Sequence, residues 1–186
     1  GTLLAALGAT PVSILPPIML ALGYSSFVAI ALPALGYDAL CTYALLGVPV
    51  VVFASMVGKP VNEVGSYFAR FMPVISTCIA LGMLWIVGRW KLVWRGLLPA
   101  LLAGLSAGFI AIGMNAIGMV TLTGVAAGLG VILMMLFYLL ATRRPLRDRS
   151  ALTEADHAAE ARLPLWRAIS PWLILTVFAV LVNLPS

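Results

Sequence analysis

Along the chain, long apolar runs alternate with short polar punctuation, and the runs have the length of membrane crossings rather than of core helices. From Pro73 to Gly88 the run PVISTCIALGMLWIVG carries no charge and ends in Arg89, Trp90, Lys91, Trp94 and Arg95, an apolar span closed by an aromatic and basic belt. The next runs, Gly96 to Met114 and Ile117 to Ala141, flank the polar Asn115 and read as two antiparallel helices joined by a turn at 113–117. The pattern therefore predicts three transmembrane helices over 73–141. Small residues four apart, Ala100, Gly104 and Gly108 and then Gly124 and Gly128, would let helix backbones approach closely. A polar stretch, 142–168, follows with six arginines and four acids. Within it Thr153 and Asp156 resemble a capping box for a short surface helix over Glu154–Ala161. His157 stands there without a ligand partner at helical spacing and reads as a solvated loop histidine. A final apolar run, entered through Ser170, Pro171 and Trp172, predicts a transmembrane helix over 169–186.

The first third breaks this rhythm. Residues 1–57 are apolar enough for a membrane, yet Pro11, Pro16 and Pro17 interrupt one stretch and Pro33, Gly36 and Pro49 the next. Each proline removes a backbone donor and collides with the preceding turn. In hydrocarbon a freed carbonyl is costly, so broken backbone at that depth is expected only inside protein or beside a water-filled cavity. Broken helices in succession are also the sequence pointer to a transporter binding site. The polar atoms at the breaks supply the candidates: Thr10 and Ser13 in the first, and Tyr37, Asp38, Thr42 and Tyr43 in the second. Helix starts at such breaks favour anions. Asp38 is the one acid within the apolar segments. A carboxylate at the membrane centre costs at least about 2.5 kcal/mol. Burial would raise its pKa and suit it to carry a proton. The other reading of Gly36-Tyr37-Asp38 is a turn at the membrane surface, with Asp38 hydrated or capping a helix from Ala39.

Residues 58–72 read as an interfacial amphipathic helix, with Lys59, Asn62, Glu63, Ser66 and Arg70 on one side and Val61, Val64, Phe68 and Phe71 filling the rest. Arg70, just before the Pro73 run, is a candidate contact for an organic anion, or an interface arginine with its head in water.

Composition sharpens the picture. The 186 residues are 63% hydrophobic and 9% charged, with mean hydropathy +1.12, against about 45–50% and about 25% in soluble domains. The fold class expected is an all-α integral membrane protein, a polytopic helical bundle of about five crossings with broken helices in its first third. Eleven Lys and Arg against six Asp and Glu leave a net charge of +5. The basic residues stand at the ends of apolar runs, which orients a membrane protein and does not suit nucleic acid. The loop 89–95 carries three and the loop 142–168 six, against Lys59 and Arg70 on the other side, so both loops are expected in the cytoplasm. Cys41 and Cys78 lie in apolar runs at no metal-binding spacing, so neither metal nor other cofactor is expected. The start at Gly1 has no basic n-region, and the chain reads as a piece of a longer transporter.

The order of features resembles the L-lactate permease family. The carriers of the resemblance are GATPVSILPPIMLALGYS (8–25), GVPV (47–50), KPVNEVGSYFARFMP (59–73), the W-x-x-L-L-P-A pattern (94–100) and WRAISPWLILT (166–176). The resemblance implies a bacterial inner-membrane symporter that takes up L-lactate, or related 2-hydroxy monocarboxylates such as glycolate, together with protons. It also implies re-entrant hairpins, with 8–17 as one hairpin tip and 37–43 as a second break lining the same site. On this reading Thr10, Ser13, Thr42 and backbone amides hold the carboxylate and Asp38 carries the proton. The alternatives are a transporter of another small organic anion, or a non-transporting subunit that packs against partners. An intramembrane enzyme is not expected, because no span holds a histidine or a nucleophile with its base.

Overall fold

The computed structural model describes residues 11–21, 23–38 and 40–142, together with 170, 174, 176–178 and 181. Thr10, the capping box at Thr153, His157 and most of the final span lie outside the described residues. What is described is almost entirely helical.

Helix α1, Pro11–Ala21, opens on a proline whose missing N–H is an orphan at a helix start in any case. Pro16 and Pro17 were expected to break this segment, yet the helix runs through both. They stand sixth and seventh in the helix, past its free first-turn N–H groups, so the carbonyls of Val12 and Ser13 each lose their helical donor while the helix continues. Gly23 (φ 84°) turns the chain, with Tyr24 N–H donating to Met19 O at 3.1 Å, and Ser25 Oγ accepts from Val28 N–H at 3.4 Å to start the next helix. Helix α2, Ser26–Asp38, passes through a buried Pro33 in the same way.

The chain breaks after Asp38. A 3₁₀ turn, Cys41–Tyr43, leads into α3, Ala44–Val57, whose first residues Leu45, Leu46 and Gly47 are left-handed (φ 51°, 56° and 78°). Regular helix resumes only at Val48, and α2 and the segment Cys41–Val57 meet at a bend of 58°. Pro49 accounts for the position: a right-handed helix through 45–49 would drive its ring into the carbonyl of Leu45 and leave that carbonyl without a donor.

Gly58 (φ 66°) caps α3, and after Pro60 helix α4 runs from Val61 to Ala116, 56 residues long. Gly88 and Arg89 leave helical geometry (Arg89 φ 49°, ψ −155°), and there the helix folds back on itself. Ser76 Oγ donates to Gly104 O at 2.7 Å across the arms; Gly108 lies on the backbone of Pro73, and Gly96 on Leu84. The three pairs share one midpoint, close to residue 90, so the arms run antiparallel in a constant register. A Cβ on Gly104 would come 2.5 Å from Thr77 Cα, which is why the small residues expected to mediate close packing are needed here.

Two expectations change. The interfacial helix of 58–72 and the span from Pro73 are one continuous helix from Val61, and the loop of 89–95 shrinks to Gly88–Arg89. The belt residues 90–95 are good helix formers and lie one turn inside the second arm. A 3₁₀ turn, Val120–Leu122, then leads to α5, Thr123–Ala141, which packs on the second arm. The turn expected at 113–117 sits slightly later, at 117–122, because helix continues through Asn115 to Ala116. The core gathers Tyr43, Val50, Ala54, Val64, Ala111, Val120 and Ala127, from the 3₁₀ turn after the break, α3, α4, the turn 120–122 and α5. Among the described residues α4 and Val120–Ala141 are long and apolar enough to cross a membrane, and the bent pair α2 and α3 makes a third if it is one span.

Candidate functional site

Two interruptions of helix meet in this molecule: the left-handed link 45–47 and the turn 117–122. A Cβ on Gly47 would stand 3.2 Å from Val120 O and 3.3 Å from Thr121 Cα, so the two irregular backbones lie in direct contact. Irregular backbone survives in an apolar setting only when protein groups satisfy it.

A small polar knot does part of this. Tyr43 is fully buried and its hydroxyl donates to Gly65 O at 2.9 Å. Asn115, 4% exposed, donates through Nδ2 to Ala111 O at 2.8 Å and to Thr123 Oγ1 at 3.1 Å. Thr123, also fully buried, passes its own proton to Met119 O at 3.2 Å. Asn115 Oδ1 fills the space that a side chain on Gly65 would need and is left without a hydrogen-bond partner. The knot thus ties the 3₁₀ turn, both ends of α4 and the start of α5.

Clefts open on either side of the break. One, about 180 Å³, is bounded by Gly36 on α2, by Leu40 on the break and by Ser76, Met83, Gly104 and Val131 on the hairpin and α5. A second, about 340 Å³, is lined by Cys41, Thr42, Pro49, Phe53 and Phe68. Through Phe53 and Phe68, which meet edge to face at 5.5 Å, it adjoins a third of about 470 Å³ that reaches Val57, Lys59 and Tyr67. Thr77 Oγ1, beside Gly104, is a further buried polar atom without a partner. These walls are apolar with isolated hydroxyls, and the third also carries Lys59. Among the described residues no three His, Cys, Asp or Glu side chains gather as metal ligands.

The family model described as L-lactate permease matches residues 4–186, nearly the whole chain. The chain belongs to the L-lactate permease family. No curated protein and no solved structure matches it. Membership, together with the two membrane-spanning helices, makes this L-lactate permease family protein a multi-pass component of the bacterial inner membrane, with the general function of a secondary transporter.

In this permease-family chain the expected site residues are distributed unevenly. Thr42 is half-buried and lines the second cleft, while Tyr43 turns inward and is committed to Gly65. Tyr37 and Asp38 form the last turn of α2, directly ahead of the break. Ser13 is exposed on α1. Arg70 is exposed on the first arm, its guanidinium 5.5 Å over the Tyr67 ring, and lines none of the three clefts. An α-helical side chain points back toward the N-terminus, so Arg70 leans toward the Lys59 end of the arm. Sequence reasoning treated Asn115 as a polar turn residue and overlooked Gly65, Ser76 and Thr123. The available signal was that Asn115 is the one Asn between Pro73 and Ala141, an amide in a setting where amides are expensive. The i,i+4 spacing of Lys59 and Glu63 was another, and these two form an ion pair.

Proposed function

We propose that this chain is the substrate-binding part of a proton-coupled symporter for L-lactate or a related small 2-hydroxy monocarboxylate. The observation that carries the reading is the cleft beside the 39–47 break. If Arg95 marks one edge of the bilayer, Gly104 lies about 14 Å deeper along the second arm, close to half of the roughly 30 Å hydrocarbon core. Substrate sites in secondary transporters lie at that depth, beside discontinuous helices. A cleft of about 180 Å³ holds on the order of six waters at about 30 Å³ each, room for a three-carbon hydroxy acid. The family match supports the substrate class.

In this reading the anion passes between the two clefts that adjoin the break: Ser76 presents a hydroxyl in the first and Thr42 in the second, while Thr10, Ser13 and Tyr37 complete the contacts to the carboxylate and 2-hydroxyl, with Tyr43 behind them, and Asp38 carries the coupled proton. Arg70 is a second contact that the anion meets on entry. The helices form a polytopic bundle: 1–57 builds the site, the two arms of 61–116, Thr123–Ala141 and 169–186 cross the membrane, and the hairpin turn and 142–168 face the cytoplasm. The rest of the parent transporter supplies the surface against which this part moves.

The test uses the full-length parent in proteoliposomes with an imposed pH gradient. Lactate or glycolate uptake should follow the gradient and lose that dependence in Asp38→Asn, while Thr42→Val raises KM. Flux indifferent to the gradient overturns proton coupling; flux of neither acid overturns the substrate class.

A further inference from the structure

The hairpin turn gathers three cations, none of them in an ion pair among the described residues, with three tryptophans. Arg89 occupies the turn itself, and Lys91 and Arg95 follow on the first two turns of the second arm, all exposed. Trp90 and Trp94 are 68% and 73% exposed, and Trp85 stands half-exposed at the end of the first arm. Of the two acids among the described residues, Glu63 is bound to Lys59, about 40 Å back along the arm, and Asp38 closes α2.

The spacing within this patch is regular. Lys91 and Arg95 are i,i+4 neighbours, as are Trp90 and Trp94, so a pair of cations and a pair of indoles stand side by side on adjacent strips of one helix. Side chains in such pairs originate about 5–6 Å apart. Exposed indoles beside cations settle at the headgroup level of a bilayer, apolar body inward and N–H toward water.

We infer that this end of the hairpin is a binding site for an anionic phospholipid bearing two phosphates joined through one glycerol. Lys91 and Arg95 each take a phosphate, Arg89 adds the third positive charge, and Trp90 and Trp94 pack on the glycerol and the first methylenes of the acyl chains. Charge complementarity selects an anionic headgroup, and the paired cations select two linked phosphates over one.

Native mass spectrometry of the full-length protein in mild detergent, titrated with cardiolipin, phosphatidylglycerol or phosphatidylcholine at equal phosphate, tests the site. Cardiolipin should be retained over phosphatidylglycerol, and both over phosphatidylcholine. Since one cation near an anionic headgroup is worth about five-fold in binding, Lys91→Gln with Arg95→Gln should weaken cardiolipin retention about 30-fold. Lys91→Arg should keep it, and Lys59→Gln at the opposite end should leave it unchanged. Parity between cardiolipin and phosphatidylglycerol, or cardiolipin retention that survives the double substitution, overturns the site.

Discussion

The hairpin 61–116 and the break 38–47 solve the same problem in opposite ways. Both must keep backbone polar groups satisfied in an apolar setting. The hairpin does so with 56 residues of helix interrupted only at Gly88 and Arg89, and packs its arms through small residues. The break abandons the regular ladder, places two leucines and a glycine in left-handed geometry and relies on a neighbouring turn and a few buried side chains. Regular helix gives an unyielding partner surface, whereas a link held by tertiary contacts has somewhere else to go. That contrast is the one the proposed site would use to change its access.

The largest expected effect tests whether the hairpin is as unforgiving as it looks. Gly108→Val places branched carbon on the backbone of Pro73, where no flexible side chain can give way, and should cost about 3 kcal/mol or more. Gly82→Ala, in the same helix but with open space around it, should be neutral or stabilising by up to about 1 kcal/mol. Thermal unfolding in detergent reads both. Equal tolerance at the two positions would mean that the arms are not pressed together at Gly108.

Next comes the knot that joins the two regions. Asn115→Ala removes two donated hydrogen bonds and leaves Thr123 Oγ1 with one neighbour fewer, a loss of about 1–3 kcal/mol. Tyr43→Phe removes only the bond to Gly65 O and should cost about 0.6 kcal/mol, the average for such bonds in a membrane. Because both side chains brace the break against the hairpin, the double variant should be non-additive by at least about 0.5 kcal/mol. Strict additivity would separate the knot into two unrelated contacts.

The hairpin was largely legible in the sequence and the break only half so. Uncharged runs of membrane length and glycines four apart are local signals, and the structure uses Gly104 and Gly108 as that spacing implies. The turn at Arg89 was visible as a belt, although its length was overestimated because Trp90 to Arg95 continue as helix. In the first third the prolines marked an irregular region without saying which of them breaks the chain. Pro16, Pro17 and Pro33 are absorbed into helices, while Pro49 acts four residues upstream of itself, at Leu45. The knot was invisible because its members, residues 43, 65, 115 and 123, come together only when the arms fold back. Thr42 beside a cleft was anticipated from a hydroxyl at a break; the inward turn of Tyr43 was not, since a tyrosine at a break can face either side.

A sign reversal probes the break directly. Left-handed geometry costs a residue with a Cβ roughly 1–2 kcal/mol, so Leu45→Gly at φ 51° should be neutral or stabilising by up to about 1 kcal/mol, part of the gain being offset by the freer unfolded chain. The same exchange at Leu129, exposed in the regular helix α5, should cost about 1 kcal/mol. Gly47→Ala should cost about 1–2 kcal/mol from the same backbone term, with crowding against Val120 O added. If both leucine variants lose stability alike, residues 45–47 are ordinary right-handed helix in the membrane.

The smallest effect lies where the two regions join, at the linker ahead of Val61. Lys59 pairs with Glu63 one turn into the hairpin, and the hydrogen bond and charge of that carboxylate push the Lys59 pKa above its ordinary 10.5. A base whose folded pKa is raised contributes stability that is fully present below the unfolded value and fades as the pH climbs through the folded one. The difference in melting temperature between the parent and Glu63→Gln should therefore hold steady from neutral pH to about pH 10 and shrink above 10.5. The pair is exposed, so salt should shrink the difference as well. The Gly108→Val loss has no charge in its origin and should ignore both variables over the same range. A difference at Glu63 that persists unchanged beyond pH 11 would mean that its carboxylate serves the start of the helix, where negative charge meets the positive end of the dipole, rather than Lys59.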